Sequence, residues 1–530
     1  MIQRKTQNPS YWGNEFKITP DDLQHLGTLL VEDELPRSAA ELGRALVLYR
    51  CRQEETLIER ALSQGVPYQP MRSYKEGDQI VFPALGYRVG KVVGIRPGHN
   101  PEHDAFQVIQ VEFESGRKRE FAAELKSEHP LNAAAQASPL DGGDLRPADE
   151  LAGEYGPQVG EKLSAALESK SGFIRLAGKW FPQDLLVKVH VGHLNLAEAV
   201  LDMAGGGPLP TEELLGDLEL PEEISSQLRV FSLNYALQED ERFDEVGPAG
   251  EVLWFLRRLE PEAVQSPPRY LRYKPLEYDH ASLTSEMLAL EQQLDDEWSD
   301  LIQAESGAVA TPVEVVLTYP HWKSGTLGLS RRLETVFPSG RTHRIRFTFV
   351  DGDTGEEMPG WVVRESRYVY GLEEWYRKND LLVGTYLELE RGPEPGTVLV
   401  RPRSRRSRRE WIRVALPVEG RLIFEMRKQL VACDYDELMI VAENAPHTME
   451  QVWDDVRERG LALSHLVAEI FPELAKLSPQ GTVHAATLYS AINVVTRIPP
   501  GPLLAELVSG DTFAPVGDNY WVLRSNSTGF

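Results

Sequence analysis

Six arginines fall within the nine residues from Arg401 to Arg409, and the run continues through Glu410 and Trp411 to Arg413. Arginine stays charged at any biological pH and presents a planar fork of donors that matches phosphate. Like charges at this density repel one another unless an anion lies beside them. Nucleic acid, an acidic partner protein or the chain's own acidic surface would each serve. The formal net charge is −25. Residues 313–413 carry 18 basic and 14 acidic side chains, net +4, against 38 basic and 67 acidic elsewhere, net −29. Phosphate contacts dominate nucleic-acid affinity, so binding is restricted to this one segment. The candidate nucleic-acid-binding set is Arg331, Arg332, Arg341, Arg344, Arg346, Arg401, Arg403, Arg405, Arg406, Arg408 and Arg409. If these residues act together, they converge on one face of a β-rich domain.

Other chemistry is sparse. The sequence holds no Gly-x-x-x-x-Gly-Lys-Ser/Thr, no Rossmann glycine fingerprint, no His-Glu-x-x-His and no Gly-x-Ser-x-Gly. A non-enzymatic chain with no cofactor and no metal is expected. His99 and His103 share a Gly-, Asn- and Pro-containing loop, which reads as a solvated turn. The acidic triplet Asp295-Asp296-Glu297 reads as the solvated side of a helix from Ser285 to Gln303, whose apolar stripe is Met287, Leu290, Leu294, Trp298 and Leu301. Cys51 and Cys433, the only cysteines, are expected as unpaired thiols. No stretch approaches the ~18 apolar residues of a membrane span, and the N-terminus lacks a signal-peptide core. A cytoplasmic protein is the expectation.

The elements that must position these residues change along the chain, and a multi-domain α+β fold follows. Residues 14–73 form a helical N-terminal segment. Thr19-Pro20-Asp21-Asp22 is a helix start, and a second helix runs from about Ser38 to Leu62. Residues 74–127 alternate apolar and polar side chains between glycines, as short strands of a small barrel do. Residues 128–160, rich in Ala, Gly, Pro and Ser, read as a linker. Residues 161–260 and 461–530 share one grammar of helices followed by a hairpin. It reads Phe243-x-x-Val246-Gly247 then Trp254-x-Leu256, and again Phe513-x-x-Val516-Gly517 then Trp521-x-Leu523. Both read as winged-helix units, three helices on a β-wing. Residues 261–312 are a linker plus helix, 313–415 a basic strand-rich domain, and 416–460 an α/β connector.

Three resemblances attach to these segments. Gly77-Asp78, Gly90-Lys91-Val92 and Val111-Glu112-Phe113-Glu114-Ser115-Gly116-Arg117-Lys118 resemble the Tudor/SH3-like barrels of the CarD and helicase C-terminal type. The two helix-and-hairpin units resemble HARE-HTH winged helices, a class that includes the N-terminal domain of the RNA polymerase delta subunit. The series Phe337-Pro338, Arg344-Ile345-Arg346, Trp361, Tyr370-Gly371-Leu372-Glu373-Glu374-Trp375-Tyr376 and Leu381-Leu382-Val383-Gly384-Thr385 resembles the plant-type DNA-binding pseudobarrel, with Thr385 where aspartate is usual. That fold is also found in the effector domain of some restriction enzymes. The resemblances imply a transcription- or defence-linked, nucleic-acid-associated role, with DNA ahead of RNA. Residues 313–415 would contact phosphate. The first winged unit is acidic (Asp244, Glu245, Glu251) and the second offers only His484 and Arg497, so both are expected to recruit protein. The alternative is an interaction scaffold whose arginine cluster docks an acidic partner.

Overall fold

The computed structural model describes residues 4–100, 105–127, 145–169, 172–221, 223–299, 312–442, 446–509 and 511–524, apart from the side chains of 446–448. His103 and residues 128–144 lie outside this set. The fold is mixed α+β, in two compact units: Met1–Val189 with Leu220–Tyr235, and His190–Glu219 with Ala236–Phe530. Among the described residues, no helix is long and apolar enough to cross a membrane.

The first unit begins as the sequence suggests. Thr19 and Asp22 form a reciprocal cap on the helix Pro20–Asp33, and Arg50 pairs with the buried Asp22 at 2.6 Å. The helix Ala39–Gln64 buries Leu42, Leu46 and Val47. Its main partner corrects one expectation. Residues 148–160, read as the end of a linker, open the 21-residue helix Ala148–Glu168. A Cβ at Gly43 would stand 2.1 Å from the Gly156 carbonyl oxygen, and one at Gly160 would stand 2.4 Å from that of Ala39. The small residues that suggest a flexible tether instead let two helix backbones touch. A five-stranded sheet follows in the order Val66–Pro67, Gln79–Phe82, Arg88–Pro97, Gln107–Phe113, Lys118–Ala123. It closes on Ile80, Phe82, Val92, Ile109, Val111 and Phe113.

The segment 161–260, expected as one winged-helix domain, is divided between the units. In the helix Ser226–Gln238, Leu228 and Phe231 join the core of the first unit. In the second unit, the hairpin Phe243–Glu245/Leu253–Leu256 contributes Val246 and Phe255 to a cluster with Trp361, Val363 and Tyr368. Local grammar does not report which core a helix joins.

The centre of the second unit is a seven-stranded sheet. Its order is Val313–Val316, Tyr386–Arg391, Thr397–Pro402, Arg344–Asp351, Glu357–Val363, Tyr368–Tyr370, Thr326–Gly328. Along Arg344–Asp351 burial alternates without a break: Ile345, Phe347, Phe349 and Asp351 face the core, and Arg344, Arg346, Thr348 and Val350 face away from it. After Arg403 the chain leaves this sheet. Ser404–Val418 pairs antiparallel with Arg421–Cys433 in a long hairpin, joined by Ile440–Ala442. The expected domain boundary at 415/416 therefore cuts a strand: the arginine-rich composition ends near it, and the ladder continues through it. Three helices, Leu463–Ala475, Ala485–Ile492 and Pro500–Ser509, and the hairpin Phe513–Gly517/Tyr520–Leu523 complete the unit.

Candidate functional site: two sets of arginines

The helix Ser285–Leu294 stops earlier than its apolar stripe suggests. Thr284 caps its start, and Asp295 ends it in the left-handed conformation at φ 47°. That residue turns the chain inward, so Asp296 and Glu297 are buried rather than solvated. Both face Arg497, itself buried after the helix Ala485–Ile492: Nη2 lies 2.8 Å from Asp296 Oδ2 and 2.6 Å from Glu297 Oε1. Most of the remaining acceptors and donors are also engaged, Arg497 Nε being buried without a hydrogen-bond partner. Tyr489 donates to Asp296 Oδ2 at 2.6 Å, and the Trp298 N–H donates to Asp296 Oδ1 at 2.9 Å. Arg497 Nη1 donates to Asn493 Oδ1 and to the Ile498 carbonyl. Glu297 Oε2 lies 3.3 Å from His321 Nε2, whose Nδ1 lies 2.9 Å from Thr326 Oγ1. Arg367 holds the Glu297 carbonyl at 2.9 Å and lies over the Trp298 ring.

Two carboxylates beside one guanidinium titrate as a set. Burial alone would raise Glu297, but Arg497 and then His321 outweigh it and hold the carboxyl well below the usual range. Burial pushes Asp296 up, against the pull of Arg497. Burial also opposes the charge on Arg497, and the two carboxylates more than compensate. Gly328 is required by this closeness: a Cβ there would stand 2.5 Å from Glu297 Oε2 and 3.0 Å from His321 Nε2.

A cavity of about 440 Å³ borders the network, lined by Asp295, Glu297, His321, Gly328, Tyr386 and Tyr489 among others. Thr326, His321 and Glu297 have the residue types of a nucleophile, base and orienting acid. Thr326 is fully buried and does not line the cavity, so this hydroxyl anchors the imidazole rather than facing a substrate. Asp295 Oδ2 accepts from Ser330 and lies 3.5 Å from Arg332, while its Oδ1 is buried without a hydrogen-bond partner, and Glu314 pairs with Arg403 at 2.7 Å.

The eleven arginines singled out in the sequence do not share one face. Arg344 pairs with Asp244 and Glu260, at 3.1 and 2.8 Å. Arg346 is partly buried, donates to the Phe347 and Gly360 carbonyls and lies over Trp361, and its burial lowers its pKa to about 10. Arg341 is 3.8 Å from Glu245. The wing acids Asp244 and Glu245, expected to recruit protein, are thus engaged within the chain. Arg332 is held by the Glu314 carbonyl and Asp295. Arg331 is exposed on the same turn.

The dense run splits in the middle. Arg401 pairs with Glu390, Arg403 with Glu314 and Asp434, and Arg405 with Glu410 and Asp434. Arg406, Arg408 and Arg409 are exposed and have no ion pair among the described residues. They lie in the strand Ser404–Val418, next to two residues that sequence reasoning did not include, Trp411 and Lys428. Register sets Arg409 opposite Leu430, Trp411 opposite Lys428 and Arg413 opposite Met426. Opposed residues share a face, so these six form one surface. Trp411 is 60% exposed and Leu430 61%. Further along the same face, Ala415, Leu422 and Phe424 enter the core. The hairpin is therefore anchored on this face at its turn end and on its opposite face through Ile412, Val414, Val431 and Cys433, and presents cations and an indole on the stretch of this face that remains open. Trp411 closes the arginine run in the sequence; Lys428 is visible only once the register is known.

No protein family, no curated protein and no solved structure matches the chain.

Proposed function

We propose that the chain binds nucleic acid through the outer end of the hairpin formed by Ser404–Val418 and Arg421–Cys433. The observation that carries this reading is the division of the arginine run. Three members have carboxylate partners, while Arg406, Arg408 and Arg409 have none among the described residues, and Arg409 shares a face with an exposed tryptophan. In a chain of net charge −25, unpaired cations within four residues of one another favour a polyanion. The ladder from Arg408 to Arg413 is roughly 17 Å long at ~3.4 Å per residue, enough to follow several phosphates. Arg344 and Arg346 take no part; Arg344 fastens the wing hairpin Phe243–Glu245/Leu253–Leu256 to the sheet through Asp244, and Arg346 is held within the sheet by the Phe347 and Gly360 carbonyls.

An electrophoretic shift assay with the full chain at about 50 mM salt tests the reading. Retention of a labelled oligonucleotide is expected, weakening steeply as salt rises. Absence of any retention at that salt overturns it.

A further inference from the structure

We infer that the hairpin face is built for single-stranded nucleic acid, in which unpaired bases stack on Trp411 while the flanking cations hold the phosphates. This rests on the nucleic-acid reading above and narrows it. Arg409, Trp411 and Arg413 occupy alternate positions of one strand, so cation, ring and cation follow one another at about 6.8 Å on one face. Lys428 stands across the ladder from the indole. Leu430, at 61% exposure, and Met426, at 38%, extend the apolar floor beside it. Arg413 is held by the Glu437 carbonyl, which fixes the guanidinium without neutralising it.

A duplex hides its base faces in its own stack and offers such a surface only phosphate and groove edges. An exposed indole on an apolar floor gains nothing from that contact. A single strand offers a base face at every nucleotide, and stacking on an aromatic side chain tolerates any sequence. Cations on both sides of a ring, with no carboxylate at the paired positions 409/430, 411/428 and 413/426, are the composition such a strand requires. The same charges oppose a second copy of the chain on this face, since Arg409, Arg413 and Lys428 would meet their own kind.

The test uses the full chain, a fluorescein-labelled oligothymidylate and a labelled duplex of equal length, with binding followed by anisotropy. Tighter binding to the single strand is expected. Trp411→Ala should weaken single-strand binding about 5- to 150-fold, leave duplex binding unchanged and leave the salt dependence of single-strand binding intact, because the phosphate contacts remain. Trp411→Phe, which keeps a stacking ring and guards against a folding artefact, should retain most of the affinity. Equal affinity for the two forms, or equal losses on both in Trp411→Ala, overturns the single-strand assignment while leaving nucleic-acid binding in place. A dimer dispersed by Trp411→Ala with single-strand affinity unchanged assigns the face to a second copy and also overturns it. Failure to bind either form removes the underlying reading itself.

Discussion

Arg497 and the arginines of the outer hairpin are the same side chain in opposite circumstances. Arg497 is buried, and each of its amino groups is engaged by Asp296, Glu297, Asn493 or the Ile498 carbonyl. Arg406, Arg408 and Arg409 are exposed on the strand Ser404–Val418, the first of them at a break in its register, without a carboxylate partner among the described residues. The first arrangement joins segments 200 residues apart in sequence, and both amino groups of the guanidinium are taken up by it. The second contributes nothing evident to the fold. An arginine's value for binding thus depends on whether the fold has already supplied its anion, and the count of arginines in a segment does not report that. Arg401, Arg403 and Arg405 lie between the two cases: they are surface-paired, and a phosphate would have to displace a carboxylate to reach them.

The contrast can be broken most forcefully from the buried side. Arg497→Ala leaves Asp296 and Glu297 without their cation, and losing one partner of a buried pair costs about 3–5 kcal/mol. A much lower unfolding midpoint for the second unit in calorimetry is the expected result; a change equivalent to less than about 1 kcal/mol would show that the network is not structural. Gly328→Ala is the next most severe, because its Cβ meets Glu297 and His321 inside van der Waals distance. A destabilisation of about 1–3 kcal/mol is expected, the range for overpacking.

His484 gives a smaller effect with a definite sign. Its Nδ1 accepts the Ala486 N–H at 3.1 Å and caps the helix Ala485–Ile492, which needs the unprotonated nitrogen. Burial lowers its pKa, with Asp436 opposing. A histidine with a depressed folded pKa contributes stability that is present above its unfolded pKa of about 6.5 and is lost as pH falls through the folded value. Thermal stability should therefore decline from pH 7 to pH 5. His484→Asn, which caps without titrating, should flatten that part of the profile; the cap itself is worth about 1 kcal/mol. An unchanged profile in His484→Asn would assign the decline to other groups. The smallest effect on folding belongs to the outer hairpin. Replacing Arg406, Arg408 and Arg409 together by alanine should leave the unfolding midpoint where it is, in contrast to Arg497→Ala.

What the sequence revealed follows the same division between local and distant causes. The Thr19 cap and four strands of the five-stranded sheet depend on neighbours within a few residues, and each is present as read; the fifth strand, Val66–Pro67, lies in the stretch read as helical. The glycines of Ala148–Glu168 suggest a linker because their partners, Ala39 and Arg44, lie more than a hundred residues away. Asp295-Asp296-Glu297 looks solvated because the cation that answers it is Arg497. A weak local signal existed for that residue: it is a lone arginine in the apolar run Ile492, Val494, Val495, Ile498. The same limit affected the arginine run. Its density is plain in the sequence, but the carboxylates that occupy Arg401, Arg403 and Arg405 come from Glu390, Glu314, Glu410 and Asp434, three of them on other strands or turns.

The central claim is that the unpaired arginines of the hairpin, and not the paired ones, meet the phosphates. It is tested most directly by the salt dependence of oligonucleotide binding by the full chain and by the Arg406→Ala, Arg408→Ala, Arg409→Ala triple variant. If each arginine makes one phosphate contact, the logarithmic slope should become shallower by about 2 on a single strand, at ~0.7 per contact. An unchanged slope in the triple variant, with the loss appearing instead when Arg344 and Arg346 are replaced, would contradict it.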